Sequence, residues 1–282
     1  MNRYKAEEIL FKILMIGSTV MVLGSLALIL GTVVARGLPA LNLAMITQTP
    51  KGGYYLGKEG GILNAIVGSL YLAGGATILA MFFSLPIALY LRVYASRSRW
   101  GEVARLSLDV LWGVPSIVYG AVGFILMIWL GMRASLLGGI IALTLLELPI
   151  MTRAMDEAIA GVPQALKEAS FALGATRLET SLKVIVRQTA PGLVTAILLA
   201  FGRGIGDAAS VLFTAGYTDR LPSSLFSPVA SLPLAVFFQL GTPFPAVQER
   251  AYASALVLTV IVLILSLASR GLARRLTAYI IR

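Results

Sequence analysis

Histidine and cysteine are both absent from the 282 residues, and only 13% of the chain is charged, about half the share usual in a soluble globular domain. Without cysteine there are no disulfides and no thiol nucleophile. Without either residue the common zinc ligand sets are missing, as is the usual neutral-pH general base. The scarcity of charge excludes a water-soluble protein. What the sequence has instead is 58% hydrophobic residues and a net charge of +10. A basic excess on a soluble chain suggests nucleic acid, but uncharged runs of more than about 20 residues belong to a membrane protein.

Six mainly apolar segments can be read as spans, the first two wholly uncharged and longer than 20 residues. Ile13 to Ala35, bounded by Lys12 and Arg36, carries no charge. At about 1.5 Å per residue it exceeds a hydrocarbon core of about 30 Å, and it is longer than the apolar core of about 7 to 15 residues in a cleaved signal peptide. Ile62 to Leu91 is the second run, with Pro86 near its end. Leu106 to Met132 and Ala134 to Thr152 follow, nearly touching at Arg133, and so predict an antiparallel hairpin. Gly192 to Ala215 is the fifth, interrupted by Arg203 and Asp207, and Ala251 to Ser269 is the sixth. The expected fold class is all-α: a polytopic membrane protein of six transmembrane helices.

Six spans put both ends on one side. The end segments and the even-numbered connections then hold 16 of the 23 Lys and Arg, against 6 on the opposite side and Arg203 within a span. By the positive-inside rule both termini are expected in the cytoplasm. The +10 is therefore mostly a topology signal.

The connections differ in character. Arg36 to Gly61, on the outer side, carries Pro39, Pro50, Gly52-Gly53 and Gly60-Gly61, a turn-rich composition. Gly216 to Arg250 has five prolines yet also the apolar stretch Leu232 to Leu240, and is expected to pack on the outer face or dip into it. The inner connection from Arg153 to Gln188 predicts a helix, a glycine turn and a second helix. Pro163 suits a helix start, Ala165, Leu166, Ala169, Ala172 and Leu173 make an apolar stripe, and Gly174 suits the stop. Thr176 with Glu179 offers a capping box. A helix of about a dozen residues is marginal alone in water, so its stripe must dock, either on this chain's own spans or on another subunit.

Within that connection, Glu168-Ala169-Ser170, three residues and Gly174 resemble the cytoplasmic EAA loop of binding-protein-dependent ABC importer permeases. Val184 and Val186 hold the later apolar positions, Arg187 stands where the family usually has proline, and Pro191 follows. Gly68 to Thr77 (GSLYLAGGAT), Gly113 to Gly120 (GVPSIVYG) and Phe213 to Gly216 (FTAG) resemble the phosphate-specific, PstA-type branch. The resemblance implies a type I importer permease fold over residues 61–270, with a coupling helix at about 163–174. It also implies an added amino-terminal helix and outer loop in 1–60, and a basic cytoplasmic tail at 271–282. It assigns Glu168, Ala169, Ser170 and Gly174 to contact with an ATPase. The implied partners are a homologous second permease (PstC-like), two ATPase subunits (PstB-like) and an extracytoplasmic phosphate-binding protein (PstS-like), besides membrane lipid; no nucleic acid is implied. No G-x-x-x-x-G-K-[ST] occurs, so the chain supplies no P-loop. No cofactor or metal is expected on it, ATP and Mg²⁺ belonging to the ATPase.

Arg203 and Asp207 are the candidate translocation-path residues. A mid-span arginine costs at least about 2.5 to 3.5 kcal/mol and should face the bundle interior or a watery path; Asp207, four residues on, shares its helix face. One reading has the pair merely neutralise itself and tie helices together. The other has Arg203 attract a crossing anion, its planar fork suiting phosphate oxygens, while Asp207 limits trapping. Relatives of the phosphate branch carry Arg-x-x-Gly-Glu here, and Asp207 replaces the Glu. Asp109 and Glu147 are read as helix-end or interhelical hydrogen-bonding residues, and Glu147 is placed near the cytoplasmic end of the fourth span. The expected function is a permease subunit of an ATP-driven phosphate importer, not an enzyme. A permease for sulfate or molybdate is the nearest alternative, and a secondary anion transporter a further one.

Overall fold

A computed structural model of the chain describes residues 3–51, 59–96 and 98–277. The Gly52-Gly53 turn and the last five residues of the expected basic tail lie outside them. Helix α1 (Arg3–Gly37) is followed by the short α2 (Leu43–Thr47), which Asn42 caps by accepting from the Met45 N–H at 2.7 Å. A two-residue antiparallel ladder of β1 (Pro50–Lys51) and β2 (Glu59–Gly60) completes the first connection. The bundle comprises α3 (Leu63–Val93), α4 (Arg99–Trp112), α5 (Ser116–Trp129), α6 (Leu136–Ala160), α7 (Gln164–Ala172) and α8 (Arg177–Glu179). A π-helical turn (Thr180–Ile185) leads into α9 (Val186–Ile205), followed by α10 (Leu232–Leu240) and α11 (Pro245–Thr277).

Among the described residues, five helices are long and apolar enough to cross a membrane. The third expected span is a correction. Leu106 to Met132 is not one rod but α4 and α5, meeting at 101°. Pro115 has no N–H for the ladder and disfavours helical geometry at Val114, so the chain turns there. Tyr119 locks the bend, its hydroxyl donating to the Leu111 carbonyl at 2.7 Å. Helix α5, of 14 residues, reaches about 21 Å and so falls short of a hydrocarbon core by itself. Helix α4 is amphipathic: Gly101 and Leu108 are buried while Trp100, Val103, Leu106 and Val110 are exposed.

The second correction concerns the fifth span, which ends at Ile205 rather than Ala215. Glycines at 202, 204 and 206 weaken the helix, and Asp207 then caps a run of turns through Ala215. The fourth span is longer than expected, α6 continuing to Ala160 through Pro149. That places Glu147 in the middle of α6 rather than near its end.

Helix α6 is the hub. Buried residues make up 72% of its apolar window, against none of that of α1; α1 is thus peripheral, packing on α11. The core pairs α6 with α3 and α9, Leu143, Leu146 and Ile140 meeting Leu72, Ala76 and Ile205, and Met151, Met155 and Ile159 meeting Ala80, Leu89 and Ile185. Because lipid is as apolar as leucine, association of such helices relies on close packing and hydroxyl bonds. Thr144 and Ser84 provide the latter, donating to the Ala76 and Leu148 carbonyls at 3.4 and 3.3 Å. The apolar stretch in the last long connection does dip inward: Leu232, Leu234 and Ala235 of α10 have no exposed surface, and Ser69 of α3 accepts from the Leu232 N–H at 2.8 Å.

Candidate functional site

Helix α7 forms where expected, Pro163 standing one residue before its first turn. Its end is a Schellman motif: the Gly174 N–H donates to Phe171 O at 2.9 Å and the Ala175 N–H to Ser170 O at 3.2 Å. Gly174 has φ +82°, the left-handed region that glycine enters without penalty. The capping box is present too, with Thr176 accepting from the Glu179 N–H at 3.2 Å and Glu179 accepting from the Thr176 N–H at 3.1 Å.

The apolar stripe divides between two surroundings. Leu166 packs against the chain's own core, whereas Ala165, Ala169, Ala172, Leu173 and Gly174 are exposed, Leu173 at 89%. With Phe171 also exposed, Leu173 makes the tip of this turn apolar. Glu168 is exposed and accepts from Gln164 at 3.3 Å. Ser170 faces the other way: buried, its hydroxyl lies 2.9 Å from that of Thr180, in the π-helical turn. Of the four expected coupling residues, three are thus on the surface and Ser170 fastens the helix to the base of α9. Burial pushes the Lys167 ammonium down from its ordinary pKa, and Arg92 adds like-charge repulsion.

At the other end of α9, Arg203 and Asp207 meet. The guanidinium donates to Asp207 Oδ1 at 3.0 Å, and the second oxygen accepts from the Ser210 N–H at 2.8 Å. Their side chains are 47% and 4% exposed, which separates their roles. Asp207 is the buried anchor of the turn after α9; Arg203 opens onto a groove between α9 and α11 of about 580 Å³, lined also by Thr195, Gly202, Val262 and Arg270. One face of the cation is held by Asp207 and the other lines the groove.

Residues 84–280 match the family described as binding-protein-dependent transport system inner membrane component. The chain belongs to that family. Among curated relatives, the phosphate transport system permease protein PstA of Haemophilus influenzae is 32% identical over 243 residues, covering 86% of this chain and 85% of the relative. PstA 1 of Mycobacterium tuberculosis is 36% identical over 257 residues, covering 89% and 84%. Solved structures of ABC transporters share the fold. An inward-facing MetNI methionine ABC transporter chain has TM-score 0.64 at 18% identity, covering 76% of this chain and 95% of its own. A chain of a bacterial alginate ABC transporter has TM-score 0.63 at 14%, covering 97% and 96%. The chain is an all-α, multi-pass inner-membrane permease of this family.

Two further features of this permease are buried acids, the first unnoticed in the sequence and the second read there as an interhelical or helix-end group. Asp156 of α6, fully buried, draws together three arginines. Arg92 Nε lies 2.7 Å from Oδ1, and Arg105 Nε and Arg153 Nη1 lie 3.1 and 3.2 Å from Oδ2. Asp109 and Glu157 also take Arg153, at 2.8 and 3.1 Å. The cluster ties α3, α4 and α6 together beside α7. Its one local signal is the Arg153, Asp156, Glu157 spacing on a helix face; the convergence of Arg92 and Arg105 is tertiary. The second feature is Glu147, with no exposed surface. It accepts from Thr77 of α3 at 2.9 Å, as an interhelical hydrogen-bonding residue should. Its Oε1 occupies the space that a Cβ on Gly204 would need, 2.0 Å from that position, and finds no hydrogen-bond partner among the described residues. Asp109 likewise acts between helices.

Proposed function

We propose that this chain is the membrane-embedded permease subunit of an ATP-driven inorganic phosphate importer. The observation that carries the reading is its similarity to PstA phosphate permeases over 86% and 89% of its length. On this reading both termini are cytoplasmic. Residues 1–60 add a peripheral helix and outer loop to the permease domain at 61–270, and 271–282 form a basic inner tail. The exposed turn of Glu168, Ala169 and Gly174, held from behind by Ser170, engages one of two ATPase subunits, which bring the ATP and Mg²⁺; this chain holds no cofactor of its own. A second, homologous permease (PstC-like) faces the groove, and a phosphate-binding protein (PstS-like) docks on the outer side.

The path residues divide the work. Arg203 presents a guanidinium fork to the anion, and Asp207 removes part of its charge. Binding is then favourable enough for entry but weak enough for release. ATP-driven closure of the partner dimer displaces α7. The Ser170 to Thr180 contact passes that movement to α9, which carries Arg203 at its far end. The test is phosphate uptake into proteoliposomes by the full assembly. Arg203→Ala should lower ATP-dependent uptake at least about tenfold, the loss of one charged hydrogen-bond set, with assembly unchanged. Undiminished uptake refutes the path role. Uptake that persists without the ATPase and follows an ion gradient favours a secondary transporter, and competition by sulfate or molybdate equal to that by phosphate favours another oxyanion.

A further inference from the structure

The groove that receives Arg203 has a second cation. Its lining runs from Thr195 to Arg203 on α9 and from Val262 to Arg270 on α11, with Ser266 and Ser269 between, and it includes no carboxylate. Consecutive spans run in opposite senses, so Arg203 lies beside the Val262 end and Arg270 beside the Thr195 end. Eight residues of helix separate the two levels, about 12 Å. Arg270 is exposed and makes no ion pair among the described residues, whereas Arg203 shares its charge with Asp207 at 3.0 Å. Ser266, Ser269 and Arg270 fall at i, i+3 and i+4 on α11 and thus on one face. Two hydroxyls and a guanidinium make a donor set for an oxyanion.

We propose that Arg270, with Ser266 and Ser269, is a second anion-binding station in this groove, toward which a phosphate-class oxyanion moves after leaving Arg203. The inference rests on the path reading of Arg203 and adds its direction. The fully charged guanidinium lies on the cytoplasmic side of a partly neutralised one, so the potential along the groove draws the anion inward. An arginine marking only the inner end of a span would need neither the flanking hydroxyls nor a shared groove. One bound to a lipid phosphate would not respond to inorganic phosphate.

The absence of cysteine from the chain makes a test possible in the assembled transporter. Ser266→Cys places a single thiol on this subunit, whose modification is read from the subunit's mass. An anionic methanethiosulfonate should react about tenfold faster than a cationic one, each relative to its rate with a free thiol, as a positive local potential requires. Inorganic phosphate should slow the reaction. Arg270→Ala, and Arg270→Gln as the variant that keeps side-chain length, should remove both the preference and the protection. Labelling indifferent to reagent charge, or unaffected by phosphate, overturns the station even if Arg203→Ala abolishes uptake. Charge preference and protection lost with Arg270, in a transporter indifferent to Arg203→Ala, uphold the station and refute the Arg203 path.

Discussion

Replacing Asp156 by asparagine keeps the side chain's shape and removes the charge on which three arginines converge. At about 3 Å and an effective dielectric near 20, one such pair is worth about 5 kcal/mol before desolvation is subtracted. Asp156 is fully buried, while the arginine side chains are only 16 to 25% exposed. The substitution therefore leaves three partly desolvated guanidiniums sharing Asp109 and Glu157. Breaking a buried ion cluster from one side costs about 3 to 5 kcal/mol, far more than replacing the whole cluster with apolar groups. The expected result is a loss of that size in a reversible detergent unfolding titration of the purified subunit. Asp156→Asn combined with Arg105→Gln should recover about 1 to 3 kcal/mol, because neighbouring members of one network are not additive. A loss below about 0.5 kcal/mol, or a double variant no better than the single one, would refute the claim that charge, rather than shape, holds α3, α4 and α6 at this end.

Three further outcomes are expected. Gly204→Ala puts a Cβ 2.0 Å from Glu147 Oε1, an overpacking of about 1 to 3 kcal/mol in a closed space; Glu147→Ala should suppress it, and equal stability of the single and double variants in the same titration would count against the contact. Gly120→Ala meets the carbonyl oxygens of Ala209 and Ser210 at 2.8 Å, backbone atoms that cannot swing aside. It should displace the turn anchored by Asp207 and lower uptake, and wild-type transport would refute it. Gly174→Ala has open space but φ +82°, so it should cost about 1 to 2 kcal/mol of local backbone strain. The readout is crosslinking from position 172 to the ATPase subunit, expected to fall without loss of the folded chain.

Local chemistry explains what could be read in advance. The Pro163 start, the Gly174 stop and the Thr176 to Glu179 box depend on residues within four positions of each other, and α7 and its turn formed accordingly. The Arg203 to Asp207 pair is an i, i+4 relation and was equally legible. The elbow at Pro115 was not inferred, although its residues were in view, because an uncharged run of apolar residues has the same hydropathy whether straight or bent. The end of α9 at Ile205 has a different cause: glycines at 202, 204 and 206 permit a close-packed helix as well as a broken one, and Asp207 at i+4 suits either.

Hydropathy and charge distribution thus determined the membrane class, the number of crossings to within one broken span, and the residue types at the candidate path, because each is a property of the chain against its solvent. Tertiary structure alone decided which side of each helix is occupied. It turned Ser170 inward and left Leu173 outside, brought Arg92 and Arg105 to Asp156, set Glu147 against Gly204, and placed Arg203 and Arg270 in one groove. These are contacts between residues far apart in sequence, fixed by how close two helices can approach, and no periodicity within a single helix encodes that distance.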